Sequence, residues 1–263
     1  MKKHNVIMAS LFFGFLGVMA IGYFFSRDTF SRMEKRYLTE APKFSWSRFL
    51  DGSWGKQKDT YLIDHVPGRN LYVGVNAYCE MLLGRQKTKS IWVLDGKLVR
   101  SPVSPQPEFE ERNVAAVNRF AQELEIPVSM ALVPSCGFAL EAPEYDDDAL
   151  IESVYDKTAL ETVDLRNIYR NRPELYYSTD HHWTSAGAFE CYKALMYAWG
   201  KTPEETYTVE GFDHFRGANY AASGLWLTPE ETLELWTGPA AITVQNNELT
   251  HEGVFYRERL EDY

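Results

Sequence analysis

The chain has 263 residues, 45% of them apolar and 14% aromatic, so a packed domain with a sizeable core is expected and long disorder is excluded. Its net charge of -10 speaks against nucleic acid, where clustered Lys and Arg must neutralise phosphates, and against a polybasic lipid-binding surface. The three cysteines, Cys79, Cys136 and Cys191, are far apart and form no Cys-x-x-Cys pair. They exclude a disulfide framework and a zinc finger and are read as free buried thiols.

Lys2 and Lys3 precede an uncharged run from Val6 to Phe25. About 20 apolar helical residues, rising 1.5 Å each, cross the roughly 30 Å hydrocarbon core of a bilayer. Residues 6–25 are therefore read as a single transmembrane anchor, with 1–5 as a cytoplasmic tail. A cleavable signal ending at Val18-Met19-Ala20 is the alternative, but the apolar run continues past Ala20 to Phe25. The short basic N-terminus places the domain outside the cell membrane, although Arg27, Arg32, Lys35 and Arg36 follow the run.

Residues 26–60 read as a stalk. Glu34 to Pro42 is charged and ends at proline, and Phe44, Trp46, Phe49 and Trp54 surround a turn at Asp51-Gly52. These aromatics are expected to pack the stalk onto the domain, with sugar stacking as their other use.

The domain spans 61–263. Tyr61 to Leu83 has near-helical apolar spacing, with His65 in a loop before Pro67-Gly68. Ile91–Leu94 and Lys97–Val99 flank Asp95-Gly96, the residues of a type I′ hairpin. Glu108–Glu125 is an amphipathic helix, followed by a buried strand at Pro127–Val133. Asp146-Asp147-Asp148 opens a helix over Ala149–Ala159, and Thr162–Leu165 is a second strand. A helix capped by Thr184 or Ser185 should bury Ala188, Phe189, Tyr192, Leu195, Met196 and Trp199 before Gly200 closes it. Thr206–Gly224 reads as short strands and turns, Thr228-Pro229-Glu230-Glu231 as a helix start, and Ala241–Val244 as a last strand before the charged end 256–263.

The candidate site is Thr179-Asp180-His181-His182-Trp183-Thr184. A hydroxyl becomes a useful nucleophile when an imidazole takes its proton, and the imidazole needs a carboxylate to fix its tautomer. Asp180 can curl back to His182 from two residues away, which makes Asp180 the orienter and His182 the general base, with His181 facing away and Trp183 walling the site. A purely structural role is the alternative, Asp180 capping the next helix and His182 satisfying a core hydrogen bond. Metal binding by Asp180, His181 and His182 is disfavoured because adjacent histidines in an extended segment point apart. No metal and no cofactor are expected.

The longer string, with Gly187-Ala188 after it, resembles the signature of the DHHW family of bacterial extracytoplasmic proteins, relatives of alginate O-acetyltransferase-like members of the SGNH-hydrolase superfamily. Glu34-x-Arg36-x-Leu38-x-x-x-Pro42, Tyr61-Leu62-Ile63-Asp64-His65-Val66-Pro67-Gly68-Arg69 and Phe215-x-Gly217 match in order. The resemblance implies an SGNH-like three-layer α/β sandwich around a mostly parallel central sheet. It also implies catalytic roles for Asp180 and His182, and O-acyl transfer or ester hydrolysis on a cell-surface polysaccharide, with that polymer or an acyl donor protein as partner. In the family the nucleophilic serine follows this block beside an aspartate, and no Asp-Ser pair occurs here. The chain is thus expected to stop before its nucleophile and before the sheet is complete, and to be inactive as it stands. Ser135 and Ser223 are the substitutes considered, and Ser185 is too close to His182. The alternative function is a non-catalytic polysaccharide-binding or assembly component of the envelope.

Overall fold

The computed structural model describes residues 3–25, 28–31, 33–34, 36–240, 243–246 and 249–252. Lys2, Arg27, Arg32, Lys35, the first two residues of the last expected strand (Ala241 and Ile242) and the charged end 256–263 lie outside them. The described chain forms two compact units, one of residues up to Gly84 with Gly224–Trp226, the other of Arg85–Ser223 with the chain from Leu227 onward.

The first unit begins with α1 (Lys3–Phe25). Its stretch His4–Tyr23, of mean hydropathy 2.1, is long and apolar enough to cross a membrane. A two-residue antiparallel ladder follows, β1 (Phe30–Ser31) with β2 (Arg36–Tyr37), and then α2 (Trp46–Leu50), α3 (Ser53–Asp64) and α4 (Arg69–Leu82). Gly68, at φ 72°, separates α3 from α4 at the Pro67-Gly68 pair, where proline removes a donor and glycine accepts the left-handed conformation. Two of the sequence stretches noted above prove to be halves of one network. Asp64 accepts from Arg36 Nη2 (2.6 Å) and Nη1 (3.1 Å), from Thr39 N (2.9 Å) and from Thr39 Oγ1 (2.8 Å). Glu34 bridges Arg36 (2.8 Å) and Arg69 (2.9 Å). His65 is buried, with Nδ1 2.9 Å from the Tyr61 carbonyl and Nε2 3.2 Å from that of Asp28. Both ring nitrogens face backbone carbonyls, one of which takes the ring N–H, so it is a structural histidine. Trp226 lies against α4 at Gly74, where a Cβ would have no room.

In the second unit β3 (Lys87–Thr88), β4 (Ile91–Leu94) and β5 (Lys97–Arg100) form an antiparallel sheet. Its expected hairpin turn has positive φ at both Asp95 and Gly96, as type I′ requires. Helix α5 (Pro107–Gln122) leads to β6 (Ser129–Met130), α6 (Cys136–Ala139) and α7 (Asp147–Lys157), and then to β7 (Glu161–Thr162) and α8 (Arg166–Tyr169). The acidic triplet is a helix start, with Asp146 accepting from Ala149 N at 3.1 Å. After a 3-10 turn (Pro173–Leu175) come α9 (Ser185–Ala198), β8 (Thr208–Phe215), α10 (Ala218–Ser223), β9 (Glu231–Thr237), β10 (Thr243–Asn246) and β11 (Leu249–Glu252). The core gathers Val99, Cys136, Leu165, Tyr169, Leu175, Tyr176 and Cys191. Cys136 and Cys191 are free and buried and Cys79 is free and exposed.

The mixed α/β character holds, but a mostly parallel central sheet is not what the described residues form. Their sheets are small and mostly antiparallel, and the parallel pairing is β6 with β7, two residues each. The Pro127–Val133 run pairs only at Ser129 and Met130, and beyond them Leu132 N donates to the Tyr155 hydroxyl at 2.9 Å, not to a neighbouring strand.

Two local expectations also change. Residues 231–237 form a strand, not a helix. Leu233 and Leu235 alternate with polar residues, and this period of two, paired to β8, outweighs the helix-start pattern before it. On α9 the fully buried positions are Gly187 and Cys191, and of the expected Ala188–Trp199 stripe Leu195 packs partly buried against the core. Gly187 lets the helix approach the Leu175 carbonyl, which leaves no space for a Cβ, so the small-residue face turns inward. Phe189 instead meets Tyr207 and Trp236 at ring distances of 5.0 and 5.5 Å, and Trp199 stays half exposed.

Candidate active site

The Asp180–His182 segment is the tip of a short hairpin. Tyr176 and Trp183 form an isolated antiparallel bridge, and Tyr177 N donates to the His182 carbonyl at 3.2 Å. On its far side Thr184 caps α9, its hydroxyl accepting from Gly187 N at 3.1 Å, while its own N–H donates to the Leu175 carbonyl at 2.8 Å. Residues 178–182 are a series of bends, so successive side chains are not obliged to alternate as they do in a strand.

Three elements hold this tip. Glu231, at the start of β9, accepts from Ser178 N (2.7 Å), Thr179 N (2.7 Å) and Thr179 Oγ1 (2.5 Å). Gly217 and the first residues of α10 grip the next turn, with Gly217 N on Thr179 Oγ1 (2.9 Å), Tyr220 N on the Thr179 carbonyl (3.0 Å) and Ala218 N on Asp180 Oδ2 (2.6 Å). A Cβ at Gly217 would overlap the Asp180 side chain, so glycine is what lets α10 reach the carboxylate. From β5, Leu98 N donates to the Ser178 carbonyl (2.8 Å), and Lys97 Nζ reaches the Tyr176 carbonyl (2.7 Å).

Asp180 is only 6% exposed. Its Oδ1 accepts from His182 N (3.0 Å) and from His182 Nδ1 (2.6 Å). Burial opposes ionisation of the carboxylate, but the Ala218 and His182 N–H groups, then the His182 ring and the nearby His181, outweigh it and hold the Asp180 pKa below the usual carboxylate value. An ionised acceptor puts the proton on His182 Nδ1, which leaves Nε2 as the ring's free lone pair on a side chain 66% exposed. A carboxylate-held imidazole with its other nitrogen open can take a proton from a hydroxyl.

His181 does not face away as expected. Its Nδ1 lies 3.3 Å from the same Asp180 oxygen, and the two imidazoles stand 3.9 Å apart, because the bend turns both rings to one side. The inner edge of His181 is desolvated, which lowers its pKa more than Asp180 raises it, with His182 and Arg100 adding to the fall. The ligand atoms of Asp180, His181 and His182 lie within 4.8 Å of one another and could hold a metal ion, in competition with the three N–H groups that donate to Asp180. His182 and Trp183 line a cleft of about 310 Å³ with Tyr177, Phe212, Leu233 and Leu235. A second cleft of about 570 Å³ is bordered by Lys97, Tyr176 and Glu231.

None of the serines considered is hydrogen-bonded to the His182 ring. Ser135 Oγ caps α6 by accepting from Phe138 N (3.1 Å), Ser185 Oγ donates to the Glu234 carbonyl, and the fully buried Ser223 donates to the Tyr220 carbonyl (2.9 Å). Glu231 and Lys97 were not singled out from sequence. Glu231 was hidden in a helix-capping pattern, and Lys97 in a hairpin.

No protein-family model and no curated protein matches the sequence. Among solved structures, a DHHW family protein from Eubacterium siraeum aligns with a TM-score of 0.50 and 21% identity, over 60% of this chain and 57% of that one. The fold is that of a DHHW family protein. The resemblance carried by the Asp-His-His-Trp string thus extends to the fold, over a chain spanning 57% of the length of that DHHW protein. PatB1 of Bacillus cereus, solved with a sulfonyl adduct and without one, aligns at TM-score 0.45 and 19% identity in each case, over 62% of this chain and 62% and 65% of those chains.

Proposed function

We propose that the chain carries the base and orienter of an SGNH-like O-acyltransferase or esterase site that acts on a cell-surface polysaccharide, with α1 as its membrane anchor and the folded units outside the membrane. The observation that carries this is the 2.6 Å Asp180–His182 contact, made by a buried carboxylate to an imidazole whose other nitrogen is open. In the step it supports, His182 Nε2 takes the proton of a hydroxyl as that oxygen bonds to an ester carbonyl carbon. Asp180 stays ionised and stabilises the imidazolium, which then protonates the departing alkoxide. The apolar cleft beside His182 and Trp183 suits the acyl portion of the ester. The parallel β6–β7 pair is read as a piece of the SGNH-type sheet.

A second reading is favoured by the engagement of Ser135, Ser185 and Ser223 elsewhere. In it the same hairpin and its clefts bind or present the polymer without cleaving it, as a non-catalytic assembly component. A chromogenic acetyl ester separates the two. His182→Ala should slow hydrolysis about 10²–10⁴-fold, the usual worth of a general base. Equal rates for the two chains sink the catalytic reading, and polysaccharide retention by a chain without esterase activity supports the second.

A further inference from the structure

The first unit carries an aromatic cluster that its own core does not absorb. Phe44, Trp46, Phe49 and Trp54 meet edge to face or tilted, with ring centroids 5.3 to 6.1 Å apart. Trp46 nevertheless remains 71% exposed, and Leu50 beside it 80%. Rings that pack on one another and still face water form a contiguous apolar patch, which on a folded protein marks a contact surface.

The charge around the patch says what it meets. From Lys43 to Lys58 four side chains are basic, Lys43, Arg48, Lys56 and Lys58, against one acidic, Asp51, in a chain of net charge -10. None of the four is in an ion pair among the described residues. Lys58 lies over the Trp54 ring at 4.8 Å, four residues along α3 and so on the same face. Asp59, which bounds the segment, is turned from Trp54 by about 140°. Trp and Phe beside Lys and Arg that no carboxylate neutralises in an ion pair is the composition that seats at the headgroup level of an anionic bilayer.

The same unit supplies the membrane. The end of α1 meets the far end of α3, where Tyr23 Oη donates to the Leu62 carbonyl at 2.5 Å and Pro67 packs against Gly22. From Leu62 back to Trp54 is about 12 Å along the helix, whereas the headgroup region is roughly 5–8 Å deep on each side of the hydrocarbon core, so the patch seats there with α3 inclined to the bilayer normal.

We propose that the Phe44–Trp54 patch is a second membrane contact, seated in the headgroup region of an anionic leaflet. It fixes the orientation of the first unit on the bilayer that α1 crosses, and it rests on the reading of α1 as an anchor. Overall net charge conceals it, because most of the acidic residues lie elsewhere in the chain.

The test reconstitutes the full chain into phosphatidylcholine vesicles containing phosphatidylglycerol, with brominated or plain acyl chains, and reads tryptophan emission. Brominated lipid should quench the native chain, most of that quenching should disappear in Trp46→Phe, and salt well above physiological should weaken it. Flotation with the vesicles reports α1 separately. A chain that fails to float overturns the anchor itself. One that floats but is quenched equally with and without Trp46 overturns the patch. Trp46 emission that responds to soluble polysaccharide, or to chain concentration, and not to brominated lipid also overturns it, in favour of a sugar platform or a second copy of the chain.

Discussion

Replacing Glu231 by Ala should loosen the candidate site from a distance. The carboxylate accepts three hydrogen bonds, two from backbone N–H groups and one from the Thr179 hydroxyl. Thr179 is 1% exposed, so its N–H loses a charged acceptor at a buried position, and an orphaned buried donor costs about 1–3 kcal/mol. The Ser178 N–H is half-buried and is rehydrated at little cost. The Thr179 hydroxyl keeps its acceptor role toward Gly217 but loses its own acceptor. Together these come to about 2–4 kcal/mol, and Glu231→Gln, which keeps one acceptor oxygen, should lose roughly half as much. Urea denaturation at unchanged m-value measures the loss, and a downfield proton resonance from His182 Nδ1–H reports the site. If Glu231→Ala costs less than about 0.5 kcal/mol and the resonance persists, Glu231 is not the latch described here.

Gly217→Ala should cost about 1–3 kcal/mol by overpacking and should weaken the His182 Nδ1 resonance, because the new methyl displaces Asp180. An unchanged resonance contradicts the close approach of α10. The pH dependence follows from two depressed carboxylates. Asp64 is held well below the usual range, first by hydrogen bonds from Arg36, and Asp180 is held below it by the N–H groups that outweigh burial. Each contributes stability that is fully present above an unfolded pKa of about 3.9 and is lost as pH falls through the lower folded value. The thermal midpoint should be flat near neutrality and drop below about pH 4, with a shallower acid limb in Asp64→Asn. An identical limb in that variant removes Asp64 from the account.

Much of the local architecture was legible because it depends on neighbours in sequence. The Asp95-Gly96 turn, the Asp146 and Thr184 caps and the break at Pro67-Gly68 are set by backbone preferences that act within a few residues. The Asp180–His182 pair is local for the same reason, since two residues of chain bring the carboxylate to the ring. The β9 strand was misjudged because its start satisfies a helix-capping pattern, and only pairing with β8 favours the alternating face. The buried stripe of α9 was misplaced because apolar side chains draw attention, whereas glycine sets how closely a helix can approach.

The sequence by itself determined an apolar segment long enough to cross a bilayer, a mixed α/β composition and a carboxylate-imidazole pair two residues apart. Each follows from short-range chemistry. Tertiary structure decided what makes the pair usable. Glu231 and Gly217 come from distant parts of the chain to hold Thr179, and Ala218 N donates to Asp180 Oδ2, so that Asp180 is buried and the bent segment turns both imidazoles toward its other oxygen. Hydrogen bonds across that much sequence appear in no local pattern, because they exist only once the strands and helices that carry them have packed.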